Sequence, residues 1–127
     1  MKKKNIDAEG KGQYTYDRDN DILLFKIKER EYFESLEFDN IIVDLDPEGC
    51  IMGVRIFDAA QLFKISKTAL ENIKRFEFKA KVEDKVISLQ LKFTAVAKDK
   101  LLIQQGQSFV REALSSDIKD SEVLCTV

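Results

Sequence analysis

Histidine is absent from the chain, and this absence removes more chemistry than any residue present supplies. Ser-His-Asp and Cys-His nucleophilic arrangements both need an imidazole, as does histidine-ligated zinc. Tryptophan is also missing, proline occurs once, at Pro47, and the five glycines are scattered. Neither a GxxxxGK[ST] nor a GxGxxG phosphate cradle can be assembled from them. Cys50 and Cys125 are far apart and lack CxxC spacing, so they read as buried or incidental thiols in a reducing compartment. No stretch approaches the roughly 18 apolar residues of a membrane span, and no apolar run follows MKKKNIDAEG. The expected location is the cytoplasm, with no membrane contact and no cofactor. An enzyme built from this chain would have to use carboxylates, Lys, Tyr or a lone Cys, and the balance falls against catalysis.

Charge of one sign is scarce as well. The 21 basic and 23 acidic residues give a formal net charge of −2, and only Lys2, Lys3 and Lys4 form a basic run. A phosphate-binding face would show as a lysine and arginine excess, so nucleic acid is not an expected partner. What is plentiful is charge of both signs, 35% of residues, which points mildly to a thermophilic source with surface ion-pair networks.

The 127 residues suit one domain, able to bury roughly two thirds of the surface exposed when unfolded. Residues 1–13 hold four lysines, two glycines and one Ile, too little apolar surface to offset ordering, and read as a mobile basic tail. From Tyr14 to Phe57, short β-like runs follow one another at the spacing of an antiparallel meander. The clearest is IIVDLDPEGCIMGVRIF, where Pro47 and Gly49 suit a turn. A four-residue loop from Asp46 to Gly49 puts Ile41, Val43 and Leu45 on a face with Cys50, Met52, Val54 and Ile56.

The period then changes. Asp58 with Gln61 resembles a capping box opening a helical turn at about 58–63, and Ser66 caps a helix at about 67–75. Beyond it, Phe76, Phe78, Ala80 and Val82 alternate with charged residues. Ile87 to Ala97 alternate likewise after a turn at Asp84 and Lys85. A second turn at Lys98 to Lys100 returns the chain through Gln104, closing a three-stranded meander over about 76–105. From Ser108, Val110, Leu114 and Ile118 fit a C-terminal helix. The expected class is α+β, with meanders at about 14–57 and 76–105.

Within the first meander, Tyr16-Asp17 and Asp21-Ile22-Leu23 are followed by Val43-Asp44-Leu45-Asp46, Gly49, Gly53-Val54 and Ile56-Phe57-Asp58-Ala59. On these residues the chain resembles a small prokaryotic family, domain of unknown function 2283. Arg55 stands where the family pattern leads one to expect an acidic residue. The resemblance implies a β-hairpin module followed by a helix, and no activity. Some members look like small partners of toxin-like proteins, which implies protein binding. The organisation is then a single domain over 14–106, with a family-like hairpin module at 14–63, a helix and meander at 64–106, and a helical segment at 107–127.

The stretch DRDND raises the question of metal. An EF-hand loop needs Gly at its sixth position and Glu at its twelfth, and here those are Ile22 and Lys28. A hairpin turn through Arg18, Asp19 and Asn20 explains the aspartates better. Asp44 and Asp46 share a strand face, so four carboxylates, Asp17, Asp21, Asp44 and Asp46, would make a divalent-metal site if the hairpins lay side by side. A solvated face is the commoner outcome. Phe76, Phe78 and Phe93 sit on the apolar face and read as core, whereas Tyr14, Tyr16, Tyr32 and Phe33 are candidates for an interaction surface. The expected function is a non-catalytic binding module. A homodimer is expected too, because the second meander has two edges and little to cover them.

Overall fold

The computed structural model describes residues 7–28, 31–96, 102–113, 118 and 120–126. Nine strands and two short helices follow in the order β1 (Asp7–Asp17), β2 (Ile22–Ile27), β3 (Glu34–Phe38), β4 (Ile41–Leu45), β5 (Ile51–Phe57), α1 (Ala59–Phe63), α2 (Lys67–Leu70), β6 (Ile73–Glu83), β7 (Val86–Val96), β8 (Leu102–Glu112) and β9 (Ser121–Thr126). Their lateral order is β3-β4-β5-β2-β1-β9-β6-β7-β8. Every neighbouring pair is antiparallel except β1 with β9.

The expected α+β class is therefore corrected to a mostly β fold. The helix expected at 67–75 stops at Leu70, because β6 already begins at Ile73. A register shift between Ile73 and Arg75 brings Ile73 opposite Ala95, so that its side chain stays in the core. No C-terminal helix forms among the described residues. Val110 belongs to β8, and the last described residues form β9. Val110 and Ile118 matched a helical spacing by coincidence, one being 61% exposed and the other buried. Residues 7–13, read as a tail, are the first part of β1. The turn expected at Lys98 to Lys100, and Leu114, lie outside the described residues.

β1 joins the two halves. Asp7 to Lys11 pair with β9, and Gly12 to Asp17 pair with β2, so one strand passes from one half-sheet to the other. The halves face each other across one core, with the Phe25 ring 4.5 Å from Phe76 and 6.4 Å from Phe93. Phe63 of α1 meets Phe93 edge-on at 5.0 Å, and Ala69 and Leu70 of α2 add to the same cluster.

The turns carry the register. Gly49 takes φ 83° in the Asp46 to Gly49 loop, where a side chain would be strained. Asp84 and Lys85 both adopt left-handed conformations, the geometry of a two-residue hairpin turn. Val43 faces Val54 and Ile41 faces Ile56. The ladder then shifts between Asp44 and Leu45, so Leu45 faces Ile51.

Candidate interaction surface

The four candidate carboxylates each have partners within the fold. Asp17 accepts from the backbone N–H of Asn20 at 3.2 Å and from its side-chain amide at 2.8 Å. These bonds, the side-chain one first, hold its carboxyl below the ordinary value. Asp21 sits in the left-handed region and accepts from the Tyr16 hydroxyl at 2.6 Å and the Ala60 N–H at 3.0 Å. It thereby caps α1, the task expected of Asp58, whose side chain makes no capping bond. Ser66 does cap α2, accepting from Ala69 N–H at 3.1 Å.

Asp46 is buried and folds over its own loop, accepting from the N–H groups of Glu48 at 3.0 Å and Cys50 at 2.9 Å. Asp44 is buried too, and accepts from Ser35 Oγ at 2.7 Å and Arg55 Nη2 at 2.8 Å. Among the described residues no group of three or more acidic or thiol side chains is placed to share a metal ion.

Around Asp44 a polar chain runs to the surface. Tyr32 Oη lies 2.7 Å from Ser35 Oγ, which also accepts from Arg55 Nη2 at 3.0 Å. Because the Ser35 proton goes to a carboxylate that can only accept, Tyr32 must be the donor in its pair with Ser35. Arg55 of β5 lies against this chain. Its guanidinium neutralises Asp44, although its Nε is buried without a partner. Neither the carboxylate nor the serine gave any sequence signal of this pairing, because it depends on β3, β4 and β5 lying side by side.

The four aromatic candidates divide into two pairs. Tyr14 and Tyr16 are half-buried. Tyr14 accepts from Ile73 N–H at 3.2 Å and packs edge-on against Phe76. Tyr16 donates to Asp21, and burial together with that bond pushes its phenol well above 10.0, its ordinary value. Tyr32 and Phe33, by contrast, are 59% and 63% exposed. They lead into β3, which stands at one end of the strand order with no second neighbour among the described residues. No helix among the described residues is long and apolar enough to cross a membrane.

Comparison with known proteins finds similarity in sequence. The family model described as a protein of unknown function, DUF2283, matches residues 13–59. A Methanosarcina mazei protein that carries the name of a hypoxanthine phosphoribosyltransferase is 34% identical over 90 residues, which is 71% of this chain and 73% of that protein. An uncharacterised protein of Methanocaldococcus jannaschii is 30% identical over 110 residues, 86% of this chain and 93% of its own length. No solved structure matches the chain.

Proposed function

The chain belongs to the DUF2283 family, and from the surface it displays within that family's segment we propose that it is a non-catalytic protein-binding module that also self-associates. The observation that carries this reading is the pair of exposed rings at Tyr32 and Phe33 beside β3, the strand at one end of the described sheet order. Exposed aromatics are enriched at interfaces because they bury large area at low entropic cost. Tyr32 is moreover held by its hydroxyl bond to Ser35, which is itself tied to Asp44, so the ring is fixed before any partner arrives. A cytoplasmic setting is part of the reading, and the two distant cysteines support it.

The enzyme name borne by the Methanosarcina mazei relative is not carried over. Phosphoribosyl transfer needs a cradle for a diphosphate, from a glycine-rich loop or the start of a helix. The glycines here are scattered and the two described helices are five and four residues long. Nor does an observation favour a metal site, since Asp17, Asp21, Asp44 and Asp46 have donors of their own.

The test is an affinity capture from native lysate with the wild-type chain and with Tyr32→Ala/Phe33→Ala. Both side chains lie largely in solvent, so the double variant should fold normally. A stoichiometric partner should be retained by the wild type and lost by the variant. Capture of nothing across several growth conditions, or equal retention by both chains, would overturn the reading.

A further inference from the structure

β3 and β8 are the two ends of the strand order, and they are built differently. β3 has five residues and two of them are glutamates. β8 has eleven, and the nine from Leu102 to Val110 include no charge and no proline. Natural edges are guarded by shortness, charge or proline, and β8 has none of these until Arg111 and Glu112.

The backbone of β8 faces outward in a definite pattern. Ala113 donates its N–H to Lys85 O at 2.8 Å, one step beyond the Val86–Glu112 pair. Hydrogen-bonded and non-hydrogen-bonded pairs alternate along an antiparallel ladder, and no register shift interrupts β7 and β8. The odd-numbered residues Ile103, Gln105, Gln107, Phe109 and Arg111 therefore bond to β7. The even-numbered residues, Leu102 to Glu112, present their N–H and C=O groups to the side that no strand among the described residues pairs with. The Arg111 side chain agrees with this parity, since its Nη1 donates at 2.8 Å to Val110 O, a carbonyl outside the ladder.

We propose that β8 is the self-association surface: two copies pair β8 antiparallel about a twofold axis at Gln107, joining their sheets edge to edge. The proposal rests on the self-association reading above and deepens it. An axis at Gln107 uses the whole strand and matches outward residues with outward residues. Gly106 meets Ser108 of the second copy, Gln104 meets Val110, and Leu102 meets Glu112. Like charges are nowhere opposed, whereas β3 paired with itself would crowd glutamates into one short ladder. Gln107 then faces its own copy in a non-hydrogen-bonded pair, where Cα atoms stand about 4.5 Å apart.

Light scattering of the full chain at tens to hundreds of micromolar should return twice the 14.6 kDa monomer mass. Ser108→Pro removes an outward N–H and should return the monomer mass with unchanged circular dichroism. Gln107→Pro breaks the bond to β7 and should unfold the strand. Ser108→Lys/Val110→Lys, at two exposed side chains, should also give monomer and serves where the proline variant misfolds. Under mild oxidation Gln107→Cys should form a cross-linked dimer, and Gln105→Cys and the wild type should not. A wild-type monomer would overturn self-association altogether. A dimer that survives the β8 variants, or one lost in Tyr32→Ala/Phe33→Ala, would leave self-association standing and overturn its placement on β8.

Discussion

Asp21 and Tyr16 form the bond on which the first hairpin meets α1. The carboxylate accepts from the phenolic O–H on one side and from the Ala60 N–H on the other, so hairpin, cap and helix share one acceptor. The phenol is held protonated above 10.0, its ordinary value. A group whose folded pKa is raised contributes stability below the unfolded pKa, and loses it as pH climbs, because the unfolded chain sheds its proton first. Stability measured by urea unfolding should therefore decline above about pH 10 through this group. Tyr16→Phe should be less stable at neutral pH by about 1 kcal/mol, the usual worth of one lost hydrogen bond. It should also decline less steeply than the wild type above pH 10. Parallel declines in the two chains would mean that the Tyr16 proton is not coupled to folding. At this scale the sequence was partly legible. The residues of DRDND announced a turn, and a turn joins β1 to β2. The role of Asp21 as a helix cap was not, because the helix it serves begins thirty-eight residues later.

Strands β2, β4, β5, β6 and β7 were readable from alternation, since each keeps one face in the core. β8 and β9 were not. The Gln-rich middle of β8 has no apolar alternation to read, because its strand lies at the edge of the sheet. β9 is inserted between β1 and β6, an arrangement that no local pattern encodes. The same strands set opposite outcomes for one substitution. A Cβ at Gly53 would lie 2.8 Å from Phe25 O and 3.0 Å from Lys26 Cβ, at the last pair of the β2–β5 ladder. A Cβ at Gly106 would meet nothing closer than 3.8 Å. Gly53→Ala should cost about 1–3 kcal/mol through forced backbone movement. Gly106→Ala should stabilise by roughly 0.4–1 kcal/mol, by restricting the unfolded chain at a position where the side chain fits. Chemical denaturation of the two variants beside the wild type checks both signs. A neutral Gly53→Ala would mean that β2 and β5 separate more readily than their register indicates.

In the molecule as a whole, the family model ends at residue 59, yet the fold does not divide there. Leu23, Phe25, Val43, Val54 and Ile56 turn toward the half-sheet built by β6, β7 and β8, and Phe25 contacts Phe76 and Phe93 directly. β1 is shared as well, its first five described residues pairing with β9 at the far end of the chain. A sheet with one apolar face needs a second layer to cover it, and α1 alone is five residues long. The two archaeal relatives agree, for their similarity runs over 90 and 110 residues, well beyond the 47 of the family segment. A fragment of residues 1–66 should therefore lack a cooperative unfolding transition and should bind a hydrophobic dye, whereas the full chain should unfold in one step. Adding a 67–127 fragment should restore dispersed amide resonances if the two halves reassociate through β1 and β9. A 1–66 fragment that melts sharply on its own would show that the hairpin module is an independent domain and that the second half-sheet is only docked against it.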